Sequence, residues 1–164
     1  MRVLTEFFAP GVPKPGGSKK AFLHPHTGRI IVTEDSNNKP WRNTVATFAL
    51  QAYPDKPVSG PLALDVTFYM PRPKHHSGVK GIKPGAPRWP TTKPDATKLI
   101  RALEDALTGI LWVDDALIVG QVARKLYAED GRVGARVIVF ELEDRDRGPE
   151  QLTMATLFEE RAHA

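Results

Sequence analysis

Four charged residues between positions 95 and 105 have the types and spacing for phosphate chemistry. Asp95, Lys98, Arg101 and Asp105 fall at offsets of three, six and ten, so a helix with about 3.6 residues per turn sets them on one face. Asp114 and Asp115 follow, just after Trp112-Val113 and at the mouth of the next strand. If that strand packs beside the helix, its first residues can reach the helix N-terminus. Convergent carboxylates suit Mg²⁺, a hard cation that takes oxygen ligands and keeps several waters. Mg²⁺ held there polarises a phosphodiester and activates a water for in-line attack. Arg101 or Lys98 beside the cluster can stabilise charge on the scissile phosphate, and an arginine does so through a bidentate fork. Each residue also has an ordinary structural reading. Asp95 can be a helix N-cap, Arg101 and Asp105 an i,i+4 pair, and Asp114-Asp115 a turn. The residues alone leave both readings open.

The charge distribution points to a polyanionic partner. The chain of 164 residues carries a net charge of +4. Residues 141–164 hold seven acids against three arginines, so this tail is −4 and the body +8. Phe7 to Thr33 contains no acid but has Lys14, Lys19, Lys20 and Arg29. Val66 to Pro94 contains no acid but has Arg72, Lys74, Lys80, Lys83, Arg88 and Lys93. Such basic stretches suit DNA phosphates, because each one neutralised releases counterions. With no cysteine, disulfides, zinc–thiolate centres and thiol nucleophiles are excluded. No apolar run approaches the roughly 18 residues of a membrane span, and Glu6 interrupts any signal-peptide core. The expectation is a cytoplasmic protein with no membrane partner.

These residues need a scaffold, and the apolar pattern supplies one. Val3 to Phe8 reads as a strand. Ala21–Leu23 and Arg29–Thr33 read as a hairpin around His24–Gly28. Asn38-Lys39-Pro40 starts a helix whose packed stripe is Trp41, Val45, Phe48, Ala49 and Ala52. Leu62, Leu64, Val66, Phe68 and Met70 alternate with Ala63, Asp65, Thr67 and Tyr69, which predicts a half-buried strand. Pro71 to Pro94, with six prolines, predicts a long, mobile, basic loop. A second helix spans about Asp95 to Thr108, stopped by Gly109, with Leu99, Ala102, Leu103, Ala106 and Ile110 as its buried stripe. Strands at 116–127 and 132–143 are expected to form a hairpin through Glu129-Asp130-Gly131. The predicted class is α+β, a mostly antiparallel sheet with two main helices packed on it. Residues 1–143 form the domain and residues 144–164 an acidic tail with room for a helix from Glu150 to Arg161.

Three segments carry the similarity to a known family: Lys93-Pro94-Asp95-Ala96-Thr97-Lys98-Leu99-Ile100-Arg101-Ala102, then Asp105-Ala106-Leu107-Thr108-Gly109-Ile110, then Asp114-Asp115-Ala116. Together they resemble the RusA family of Holliday-junction resolvases, whose pattern here runs Lys-Pro-Asp-x-Asp-Asn-Leu-x-Lys-Ala, then Asp-Ala-Leu-Asn-Gly and a later Asp-Asp. The similarity covers residues 3–142, and its specific part is Lys93 to Asp115. It implies a homodimeric, Mg²⁺-dependent endonuclease, with Mn²⁺ as a substitute, that places paired cuts in four-way DNA junctions during recombination and repair. It also implies a bacterial or bacteriophage source. Carried over by position, Asp95 and Asp115 are catalytic carboxylates, Arg101 stands where the family has a catalytic lysine, and Asp95, Asp114 and Asp115 hold the metal. Thr97, Lys98 and Asp105 flank that set. Thr97 replaces the family's second carboxylate and Lys98 its asparagine, so this turn has lost an acid and gained a base. The alternative function is therefore a weak or inactive nuclease that still binds branched DNA.

Other motifs carry less. Gly11 to Lys20 lacks the spacing of a nucleotide-binding loop, so no nucleotide cofactor is expected. It can still contact phosphates through Lys19 and Lys20. His24/His26 and His75-His76 lack a third ligand in sequence. Trp41 reads as core, and Trp89 in the basic loop is the better platform for an unpaired base. A third reading, an RNA-binding module, has only the charge behind it.

Overall fold

A computed structural model describes residues 1–16, 20–23, 25, 27, 29–33, 38–129 and 131–143, with only the backbone considered at 20–23 and 30–33. The acidic tail, Lys19, His24, His26 and Asp130 lie outside the described residues. The order is β1 (Arg2–Pro10), β2 (Lys20–Leu23), β3 (Ile30–Thr33), α1 (Lys39–Ala52), β4 (Leu62–Met70), β5 (Ser77–Gly78), β6 (Gly81–Ile82), α2 (Ala96–Leu107), β7 (Ile118–Tyr127) and β8 (Gly134–Glu141). The main sheet has four strands in the order β1-β8-β4-β7. Two of its pairings, β1 with β8 and β8 with β4, are antiparallel. The third, β4 with β7, is parallel. The class is α+β, as the apolar pattern predicts.

The strand order corrects the expected hairpin. β7 and β8 are consecutive in sequence but do not pair, because β4 lies between them. β4 takes that position with both of its faces largely covered. Leu62, Leu64, Val66 and Phe68 are fully buried on one side, and Ala63 and Thr67 are buried on the other. The expectation of a half-buried strand was too cautious. Only Asp65 and Tyr69 are part-exposed, and Asp65 is held by Arg124 of β7 at 2.9 Å. A strand buried on both faces gains most with a neighbour on each edge.

Both helices cover one face. α1 packs on β1 and on α2, and α2 lies over β7. The core joins Val45 of α1, Leu99, Leu103 and Leu107 of α2, and Val66, Phe68, Val137 and Val139 of the sheet. Ala63, Ile138, Phe140 and Leu142 form a smaller cluster on the opposite face. α2 buries Leu99, Ala102, Leu103 and Ala106 of the predicted stripe, with Ile100 and Leu107 as well; Ile110 lies past the helix end and is only partly buried. It stops where expected: Gly109 takes φ +81°, a left-handed conformation that costs glycine little. Its N–H donates to Trp112 O at 2.7 Å. Trp112 is fully buried, and its Nε1 donates to the Thr108 hydroxyl at 3.0 Å. This plug turns the chain from α2 into β7. Among the described residues, no helix is long and apolar enough to cross a membrane.

The 71–94 segment has more local structure than its composition predicts. It contains a short 3-10 turn, Lys74–His76, and the ribbon β5–β6. Arg72 donates to Pro87 O at 3.1 Å and lies 4.3 Å over the Tyr127 ring. His76 is buried, with its ring edge-on to Tyr127 at 5.6 Å. The prolines remove backbone donors, so side chains tie this segment to the sheet instead.

Trp112→Ala should cost about 3–5 kcal/mol of stability, as for a fully buried tryptophan, read as a lower urea midpoint with an unchanged slope. His76 has its pKa lowered, first by burial and then by the positive charges of His75, Arg72 and Lys83. A histidine with a depressed folded pKa is kept neutral, so its contribution is complete above the ordinary value near 6.5 and falls as pH drops below it. Hydrogen exchange at 74–83, corrected for its intrinsic slowing in acid, should show an excess of opening as pH is lowered from about 7 to 5. His76→Phe should remove that excess, and an unchanged excess would assign it to another group.

Candidate functional site

The parallel pairing of β4 with β7 decides where α2 points. Two parallel strands in one sheet need a crossover, and here α2 is its helix, running back over β7. Its N-terminus therefore stands at the carboxyl ends of β4 and β7, and its C-terminus at their starts. A cleft of about 440 Å³ opens at the first of these ends, lined by Met70 of β4, Tyr127 of β7 and Asp95 of α2. Crevices outside the carboxyl ends of strands are the usual ligand positions of parallel sheets.

Two contacts hold Asp95 in this position. Lys125 of β7 donates through Nζ to Thr92 O at 2.9 Å and to Pro94 O at 2.8 Å. From the other side, Gly16 N donates to Lys98 O at 2.8 Å. A Cβ on Gly16 would lie 3.5 Å from Lys98 O and Ala102 N, so the 11–16 loop rests directly on the helix. That contact brings Lys14 to the cleft, where Lys93 and Lys98 also stand.

Asp95 occupies the N-cap position, but its side chain makes no cap hydrogen bond. Its carbonyl accepts from Lys98 N and Leu99 N, both at 3.1 Å. The carboxylate lies 3.6 Å from Lys98 Nζ, with both side chains about half exposed. The simple capping explanation for Asp95 therefore fails, and its oxygens are open to a ligand. Asp114 behaves oppositely. Its Oδ1 accepts from Ala116 N at 2.8 Å and caps the short turn Asp115–Leu117. Of the acidic pair, Asp115 is the one with no cap to make.

Asp95 and Asp115 do not meet within one chain. Lys125 and Tyr127, at the end of β7, are beside Asp95, whereas Asp115 immediately precedes the start of β7. α2 has 12 residues, which at 1.5 Å each separates its ends by about 18 Å. The expectation that the first residues of the strand reach the helix N-terminus is overturned, because helix and strand run in opposite directions. Asp115 instead lies near the last turns of α2. There, burial pushes the Glu104 carboxyl above the usual carboxylate range, and the negative charges of Asp115 and Asp105 add to that shift against Arg101. Among the described residues, no group of three or more acids or histidines converges to hold a metal.

The remaining expected residues are placed as follows. Thr97, Arg101 and Asp105 are exposed on α2, and Arg42 of α1 donates to Asp105 O at 2.8 Å. Lys74, Lys80, Lys83, Arg88 and Lys93 lie exposed on the 71–94 segment. Arg72 is engaged with Tyr127 and Pro87, as described. Trp89 is 54% exposed with Arg88 at 5.4 Å from its ring. Arg29 is exposed beside the β2–β3 hairpin. His75 and His76 pack edge-to-face at 4.4 Å, near cations rather than carboxylates. Three residues absent from the sequence-derived set matter here: Glu104, Lys125 and Tyr127. The basic pair Arg124-Lys125 late in the strand was the signal for Lys125. Glu104, one position off the polar stripe, had none.

Comparison with known proteins covers the same region. The description "Endodeoxyribonuclease RusA" matches residues 10–138, from the end of β1 into β8, including the cleft, Asp95, Arg101 and Asp115. "Uncharacterized protein YqaN" of Bacillus subtilis (strain 168) is 30% identical over 131 residues, spanning 78% of this chain and 91% of that protein. With a family match across most of its length, this chain belongs to the RusA family of endodeoxyribonucleases.

Proposed function

We propose that this protein is a Mg²⁺-dependent endonuclease that cuts branched DNA, four-way junctions above all, as a homodimer. The observation that carries this reading is Asp95: an uncapped, half-exposed carboxylate at a helix N-terminus, beside a cleft where three lysines stand. The lysines would hold the DNA backbone, and exposed cations on the 71–94 segment would extend that contact. Backbone contacts of this kind position DNA without reading its bases, which suits recognition by shape. Asp95 and Asp115 would hold the metal, with Asp114 fixing the turn that presents Asp115. Bound Mg²⁺ would supply an activated water and a polarised phosphodiester. Arg101, exposed on α2, would meet the charge that builds on the phosphate.

The length of α2 supports the dimer. One chain keeps Asp95 and Asp115 at opposite ends of the helix. A site that uses both takes Asp95 from one protomer and Asp115 from its partner, and a two-fold dimer then has two such sites. Two sites fit the paired cuts of junction resolution.

The second reading, a branched-DNA-binding protein without cleavage, rests on Thr97. A hydroxyl on the first turn of α2 leaves one carboxylate fewer than the family pattern, beside a lysine that already pairs with Asp95.

Nicking of a four-way junction in Mg²⁺ tests both. Asp95→Asn and Asp115→Asn should each lower the rate by roughly 100-fold or more, the scale of removing a main electrostatic contributor. Mixing the two inactive variants should restore roughly a quarter of wild-type nicking, because random pairing leaves one intact shared site in half of the dimers. Two inactive variants that stay inactive when mixed would sink the shared site. Thr97→Asp should raise nicking at low Mg²⁺. A wild type that binds junctions but never nicks them, and a Thr97→Asp variant that does, would establish the second reading.

A further inference from the structure

The cleft beside Asp95 has an apolar interior that backbone binding does not need. Val12, Pro13, Pro15, Met70, Pro94 and Tyr127 line it, and its volume is about 440 Å³. That is the size of a small-molecule site, in the range of about 300–1,000 Å³. Phosphates are held by cations on an open surface; they gain nothing from a hollow walled by prolines and a tyrosine. Flat rings do, because every base has a π-face and stacks on rigid apolar surface whatever its sequence. The charges complete the fit. Lys14, Lys93 and Lys98 stand at the same cleft, so a ring placed inside would have its flanking phosphates beside three cations.

We infer that this cleft receives one unstacked nucleobase of the DNA substrate, from a nucleotide next to the phosphate held at Asp95. The inference rests on the endonuclease reading and names a base-binding subsite of that same site. Unstacking is least costly for a nucleotide that has already lost its partner, which a branch point provides and a continuous duplex does not. The cleft would thus add selection for branched DNA to the shape recognition of the lysines. It would also set which phosphate reaches Asp95, since the inserted base anchors the register.

Filling the cleft tests this without any metal. Val12 is 45% exposed, and Thr92, also exposed, lines another wall. Val12→Trp and Thr92→Trp therefore fill the hollow from two sides, and two variants guard against one that fails to fold. Affinity of the full chain for a four-way junction is measured without divalent cation at fixed salt. It is measured again with an abasic nucleotide at each position around the branch point in turn. At one position the abasic change should weaken wild-type binding roughly tenfold, in the range for one stacked base. Both tryptophan variants should bind the intact junction about equally weakly, with no further loss at that abasic position. Unchanged affinity in both variants, or losses that multiply with the abasic loss at every position, would overturn the inference while leaving junction binding intact. A wild type that binds a junction no better than a plain duplex would instead remove the endonuclease reading and this inference with it.

Discussion

The parallel pairing of β4 with β7 is the constraint on which the rest depends. It cannot be closed by a tight turn, so the chain must cross the sheet face, and α2 is the crossing helix. Every later property follows from that geometry. The N-terminus of α2 is delivered to the carboxyl ends of the two strands, where Asp95 meets the cleft. The 71–94 segment joins the end of β4 to the start of α2 at that same end, which is why a basic, proline-rich stretch borders the cleft. Lys125 and the Gly16 contact then hold the helix start from opposite sides.

The elements were legible in sequence because their signals are local. Alternation over Leu62–Met70, the apolar stripe of α2 and the glycine at its end each lie within a dozen residues. Their arrangement was not. Whether β8 pairs with β7 or passes to the far side of β4 depends on which strand is covered on both faces, a property of all four strands together. The same gap explains the site. The helical face from Asp95 to Asp105 was readable, but the relation of Asp95 to Asp115 depends on the direction in which α2 and β7 run, and spacing along the chain does not contain it. Glu104 escaped for a related reason: its perturbed carboxyl arises first from burial and then from Asp115, eleven residues on and across a turn. Lys125, not singled out in the sequence, and Arg72, expected to meet DNA phosphates, are occupied in holding the 71–94 segment to the sheet.

The two aspartates at 114 and 115 illustrate how adjacency in sequence conceals a division of labour. One closes a turn with its own carboxylate and the other is carried by that turn. Asp95 shows the converse case. It occupies a capping position without capping, and nearby Lys98, where the family has an uncharged amide, tempers its charge. Thr97 and Lys98 together make this end of α2 less negative than the family pattern. That shift favours the approach of a phosphate while giving a cation fewer oxygen ligands.

The length of α2 has a further consequence. Because Asp95 marks one end of the helix and Asp115 follows the other, the helix acts as a gauge block between the two carboxylates proposed to share a metal. Inserting or deleting a single residue would turn one end by about 100° relative to the other and shift it by about 1.5 Å. A whole turn would restore the angle but shift the separation by about 5.4 Å. β7, lying alongside, would have to change in step. The helix and its strand can therefore change in length only as a matched pair.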